Sequence, residues 1–179
     1  MIALTVEKAH GEYDPGTSKF FGSPTMPEEW LSDGTVGDND FFFAQLRLAE
    51  IKNFPDSPLL PEKGFLYFFL SEEDGEFIPN VRYCPEEPDT IIDDFNAGFD
   101  ILGDDTETDY SADFKEAEDA SDGTKILVDD GEDIILLQYD PLDDGMPEFL
   151  AETEKMMRLR IKKDNLKNLD FSNVTVSIE

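Results

Sequence analysis

The sequence predicts a β-rich α+β fold, with antiparallel sheets from two similar halves (an internal duplication) and few short helices. Three observations predict it. Apolar residues alternate with polar ones in several short runs, turn dipeptides separate the runs, and two stretches about ninety residues apart match each other.

The elements follow in chain order. Ile2–Val6 is a short strand candidate. Phe42, Ala44, Leu46 and Leu48 alternate with Gln45 and Arg47, which marks a half-buried strand. Phe65 to Leu70 is apolar on both faces and suits a central strand. Val81–Cys84 and Lys125–Val128 are shorter candidates, and Ile134 to Tyr139 repeats the two-faced pattern apart from Gln138. Residues 147–155, PEFLAETEK, suit about two helical turns with Pro147 at the first position. Met157, Leu159 and Ile161 alternate with Arg158, Arg160 and Lys162, giving a strand with one wet face. Residues 163–169 suit one helical turn, and Val174, Val176 and Ile178 form a last half-buried strand. The edge of these final strands can pair with a second copy. Asp14-Pro15-Gly16, Asp33-Gly34, Asp74-Gly75, Asp122-Gly123 and Asp130-Gly131 supply the turns.

The halves align on FFFAQLRLAE from Phe41 against IILLQYDPLD from Ile134, which sets Gln45 on Gln138. GFLYFFLSEED from Gly64 sits against KMMRLRIKKDN from Lys155, and Ser18-Lys19-Phe20 faces Thr124-Lys125-Ile126 more loosely. The expected organisation is a single domain, 1–179, with halves 1–99 and 124–179 joined by an acidic loop, 100–123. The apolar residues of that loop are too few to offset the entropy of ordering it.

Charge bounds the function. The chain has 43 acidic and 14 basic residues, a net charge of −29. Such a field repels nucleic acid and anionic membrane, and attracts cations and basic proteins. Residues 86–145 hold 22 acidic residues against Lys115 and Lys125 alone, whereas Lys155, Arg158, Arg160, Lys162, Lys163 and Lys167 form a basic stripe. That stripe either pairs internally with the acidic segment or offers a docking face to an acidic partner. The single cysteine, Cys84, excludes an intrachain disulfide and fits a reducing compartment. No apolar run approaches a membrane span, and the start of the chain has no leader pattern, so the expected location is cytoplasmic.

Candidate chemistry is sparse. His10 is the only histidine, and Cys84, followed by Pro85, lies in no nucleophile context; its bland reading is a half-buried strand residue. Zinc and nucleotide-binding patterns are missing. Asp105, Glu107, Asp109, Asp113 and Glu116 stand at positions 1, 3, 5, 9 and 12 of a calcium-loop spacing, but Tyr110 replaces the glycine that the loop's sharp turn needs. No other cofactor is expected. For partner binding, the candidates are Asp93, Asp94, Asp104, Asp105, Glu107 and Asp109, with Phe95, Phe99 and Tyr110 as interleaved aromatic anchors. The bland reading of this set is a solvated, self-repelling loop.

Three stretches carry a family resemblance: SKFFGSPTMPEEW (18–30), FFFAQLRLAEI with LLPEKGFLYFFL, and RLRIKKDNLKNLDFSNVTV near the end. Together they resemble the YwqG-like family of uncharacterised bacterial proteins. The resemblance implies a β-rich fold with duplicated halves and, for some relatives, a setting among toxin and immunity systems. Phe21 stands where the family has the first glycine of a pair, TKILVDDGED is a reduced counterpart of the Gly/Pro segment, and FLAETEKMM replaces a Trp-Gly-Asp element. The expected function is a non-enzymatic binding protein of immunity or inhibitor type that engages a basic protein. The alternatives are a calcium-binding domain and an enzyme using buried carboxylates between the halves.

Overall fold

The computed structural model describes residues 1–99, 104–119 and 121–179. The described strands are β1 (Ile2–Lys8), β2 (Lys19–Phe20), β3 (Phe41–Arg47), β4 (Phe65–Glu73), β5 (Glu76–Cys84), β6 (Tyr110–Glu116), β7 (Lys125–Asp129), β8 (Asp133–Tyr139), β9 (Met157–Lys162) and β10 (Thr175–Ile178). Among the described residues only two short α-helices occur, α1 (Leu48–Ile51) and α2 (Lys163–Lys167).

All ten strands join one antiparallel sheet in the order β10-β9-β8-β7-β1-β6-β2-β3-β4-β5. Its two edge strands, β10 and β5, pack close to each other, so the sheet is nearly closed. The centre is the β1–β6 pair, in register from Ile2 opposite Glu116 to Lys8 opposite Tyr110. β1 then pairs with β7 and β6 with β2, so the first strand extends the sheet toward the C-terminal strands, and β6 extends it toward the N-terminal ones.

Strand β6 corrects the expectation of an acidic loop over 100–123. Tyr110 and Ala112 turn inward and are buried, while Ser111 and Asp113 turn outward. Seven residues pair with β1, and these ladder bonds offset the ordering cost that composition alone suggests. Residues 100–103 and 120 of the expected loop lie outside the described residues.

The enclosed face carries the main core. Phe20, Phe21, Phe43, Tyr139 and Phe149 meet there with ring centroids 5.2–6.4 Å apart. Phe149 explains why 147–155 is not the expected helix. Its ring enters this core, Leu150 and Glu154 take left-handed backbone conformations, and only the 3-10 turn Ala151–Thr153 forms between them. Burial of an aromatic ring outweighs the modest helical preference of so short a segment.

β3 is also more buried than its alternation predicts. A bulge between Phe42 and Ala44 shifts the register, and the outer face of β3–β5 holds a second cluster of Phe42, Phe65, Tyr67 and Phe69. Phe65, Tyr67 and Phe69 stack along β4 at 5.7 and 6.2 Å. β4 is therefore buried on both faces, as its sequence requires. β9 shows the expected alternation, with Met157, Leu159 and Ile161 buried.

One local arrangement occurs twice. Lys19 lies opposite Gln45 across β2–β3, and Lys125 opposite Gln138 across β7–β8. A register shift precedes each glutamine, at Phe42/Ala44 and Ile135/Leu137. Two residues after each lysine the backbone is left-handed, at Phe21 (φ 54°) and Leu127 (φ 56°).

Candidate functional site

Two surface segments, 24–40 and 85–99, cover the outer aromatic cluster. They are tied by the Thr25–Ile91 bridge, with Met26 N–H donating to Thr90 O (3.1 Å) and Ile92 N–H to Pro24 O (2.9 Å). The Tyr67 hydroxyl donates to Thr25 O at 2.6 Å, and Trp30 packs edge-on against Tyr67 at 5.3 Å. Asn96, almost fully buried, acts as a substitute strand residue. Its Oδ1 accepts from Phe42 N–H and its Nδ2 donates to Phe42 O, both at 2.8 Å. The same Nδ2 reaches Thr106 O at 3.5 Å, which brings the 104–107 turn beside the 93–97 turn.

This cover is acidic. Glu28, Glu29, Asp33, Asp38, Glu86, Glu87, Asp89, Asp93 and Asp94 are exposed on it, and Glu107 is exposed beside it. Among the described residues, Glu87 is the one carboxylate of this group in an ion pair, with Arg47 at 3.0 Å. The basic stripe is treated differently. Arg158 and Arg160 pair with Glu179, Arg160 also with Asp130, Lys162 with Asp133 and Glu132, and Lys163 with Asp129. The cations of the C-terminal strands are thus spent internally, and the carboxylates of the cover face solvent.

The sequence-predicted residues divide accordingly. Asp93, Asp94 and Glu107 belong to the exposed acidic face, and Asp104 and Asp105 lie in the 3-10 turn Asp104–Glu107. Asp109 and Tyr110 do not belong to it. Tyr110 is a core residue of β6, 6.5 Å from Phe21. Asp109 turns inward to a buried lysine. Phe95 packs on Phe69 and Phe99 on Phe41, so both are used as internal packing.

The partner of Asp109 is Lys19, whose side chain is fully buried; Lys19 Nζ donates to Asp109 Oδ2 at 2.9 Å and to Ser23 O at 2.5 Å. Asp109 Oδ1 accepts from Ser23 N–H at 2.8 Å. Burial lowers the Lys19 amine to about 8, opposed by the Asp14 charge, and raises the Asp109 carboxyl to about 6, opposed by the Ser23 hydrogen bond. Gly22 (φ 70°) lets the chain pass this carboxylate, since a Cβ there would lie 1.7 Å from Asp109 Oδ1.

Lys19 belongs to the arrangement that occurs twice. Gln45 Nε2 donates to Pro15 O and Thr17 O at 3.2 and 2.9 Å, and Gln138 Nε2 to Ser121 O and Gly123 O at 3.1 and 2.8 Å. The Ser18 hydroxyl accepts from Arg47 N–H as that of Thr124 does from Asp140 N–H. Lys125 Nζ donates to Ser121 O and Asp122 O. A constellation that recurs at two equivalent places and satisfies backbone carbonyls in both holds loops in place. Sequence reading paired these lysines and glutamines but assigned them no role; Asp109 is the added member at the first.

The calcium-loop spacing is not realised as a loop. Asp113 and Glu116 lie on extended β6, where each residue advances the chain by about 3.3 Å, too straight to wrap one ion. Among the described residues no group of three or more His, Cys, Asp or Glu has a metal-holding arrangement. Cys84 is buried and its thiol is pushed up by that burial, the opposite of an activated nucleophile, while His10 is exposed. Glu50 is a buried-type carboxylate: burial raises it, and it accepts from Ser18 N–H at 3.1 Å beside a depression lined by Tyr13, Asp14 and Asp113. A groove of about 1000 Å³ runs between residues 55–61 and the 127–169 region; of its carboxylates, Asp56 and Asp129 are ion-paired and Asp164 is exposed to solvent. No helix among the described residues is long and apolar enough to cross a membrane.

Comparison with known proteins gives one family. The model for Domain of unknown function (DUF1963) matches residues 18–126, from the serine before Lys19 to the second residue of β7. No curated protein matches the chain.

Proposed function

The chain belongs to the DUF1963 family, and we propose that it is a non-enzymatic binding protein whose acidic cover engages a basic protein. The observation that carries this reading is the asymmetry of pairing. Arg158, Arg160 and Lys162 of β9 and Lys163 of α2 are ion-paired, while among the described residues Glu87 is the one exposed carboxylate of the 24–40 and 85–99 cover in an ion pair. A net charge of −29 steers a basic partner toward such a face and accelerates encounter. The rigid aromatic cluster beneath keeps the face preorganised, which lowers the ordering cost of binding. The resemblance to YwqG-like proteins supports an immunity or inhibitor role in a cytoplasmic setting. Within this reading the Lys19–Gln45 and Lys125–Gln138 arrangements are copies of one duplicated unit, structural in role.

The test is capture from cell lysate with the intact chain as bait. Asp93→Asn, Asp94→Asn and Glu107→Gln are combined in one variant; Glu72→Gln, Glu73→Gln and Glu76→Gln, with the same charge change on the β4–β5 hairpin, form the control. A basic protein retained at low salt, released by high salt, lost with the first variant and kept by the second supports the reading. Equal retention by both variants removes the acidic cover from the interface.

A further inference from the structure

The acidic cover also carries apolar side chains that the fold does not use. The 3-10 turn Glu28–Leu31 buries none of its residues, and Leu31 is 46% exposed. Ile91, on the second segment, is 42% exposed. Trp30 is half-buried: its ring packs on Tyr67, and among the described residues its indole N–H has no hydrogen-bond acceptor. Backbone contacts tie the two segments together. Thr25 bridges Ile91, Met26 N–H donates to Thr90 O, and the Glu28–Leu31 turn follows directly after Pro27.

A single exposed leucine needs no explanation. The surroundings distinguish these. Segments 24–40 and 85–99 contain no Lys, Arg or His; Leu31 follows Glu28 and Glu29, and Ile91 lies between Asp89 and Asp93. Charge complementarity therefore calls for Lys or Arg on the occupant, and the open Leu, Ile and Trp side chains call for apolar groups beside them. Tryptophan is a favoured interface anchor, and Trp30 is already held against Tyr67, so little ordering cost remains. Its free indole N–H needs an acceptor, which the backbone carbonyls of a polypeptide supply and a polyamine does not.

Resting on the basic-partner reading above, we propose that the cover recognises an amphipathic basic segment of its partner, with leucine-like side chains interspersed among lysines or arginines, and that Trp30, Leu31 and Ile91 are the anchors. Two synthetic peptides of equal length and equal lysine number test this with the full chain; one carries leucines between the lysines, the other serines. Anisotropy of the labelled peptide gives affinity, and Trp30, the only tryptophan, reports contact at the cover through its fluorescence. At high salt the leucine peptide is expected to bind at least about tenfold more tightly than the serine peptide, because screening removes charge attraction and leaves apolar contact. Its binding moves Trp30 emission to shorter wavelength as water leaves the ring. Leu31→Ser and Ile91→Ser are each expected to remove most of that advantage, with the serine peptide's affinity and the melting temperature unchanged, since both side chains are exposed. Leu142→Ser, at a leucine outside the cover that is 60% exposed, is the control and changes nothing. Equal affinity for the two peptides, a leucine preference that survives both cover substitutions, or an equal loss with Leu142→Ser would overturn the proposal while the basic-partner reading stands. A chain that binds neither peptide would overturn both.

Discussion

Lys19 and Asp109 show how far one buried pair reaches. They join β2 to the chain just before β6, ninety residues apart, and fix the Gly22–Ser23 turn. Removing one partner strands the other charge, so Asp109→Asn is expected to cost about 3 kcal/mol, measured by denaturant unfolding. The double variant Lys19→Met with Asp109→Asn should cost less than the sum of the singles. The pair also sets a pH dependence. Asp109 titrates near 6 when folded against 3.8 ordinarily, so its contribution is full below pH 3.8 and is lost as pH rises through 6. Lys19 titrates near 8 against 10.5, so its contribution is full above pH 10.5 and is lost as pH falls through 8. Stability of the wild type relative to the double variant is therefore lowest between pH 6 and 8 and rises on either side. A difference that stays flat across pH would contradict these assignments.

Strand β6 is the element on which the architecture turns, because it and β1 splice the two runs of strands into one sheet. Its amides should exchange slowly with solvent, on a par with those of β4. Tyr110→Ala is expected to destabilise the fold by about 3–5 kcal/mol, as removal of a buried aromatic does; a loss under 1 kcal/mol would return this segment to the loop that its composition suggests. Here the sequence was only partly readable. Continuous apolar runs located β4 and β8, which are buried on both faces, and two-residue alternation located β9 and β10. Tyr110, Ala112 and Phe114 have the same periodicity, but the surrounding carboxylates hid it, and cross-strand pairing with β1 is invisible in a local window. PEFLAETEK misled for the converse reason: its local pattern is helical, and the core's need for Phe149 decides the outcome. The alignment set Lys19 on Lys125 and Gln45 on Gln138, and each lysine faces its glutamine across a strand pair, yet their hydrogen bonds to loop carbonyls lie beside the bulges at Phe43 and Leu136, which no propensity marks.

Across the whole molecule, charge is sorted by element. The C-terminal strands neutralise their cations, and the cover of the aromatic cluster keeps its anions exposed. Acidity alone was legible in the composition; which carboxylates remain unpaired required the fold, since Asp109 and Asp93 are indistinguishable as letters. The most direct measurement is the salt dependence of affinity for the basic protein captured by the chain, taken with the wild type and with the Asp93→Asn, Asp94→Asn, Glu107→Gln variant. The account predicts that affinity falls steeply as salt rises, and that the variant binds at least about tenfold more weakly at low salt with a shallower slope. Affinity indifferent to salt, or a variant that binds as the wild type does, would contradict it.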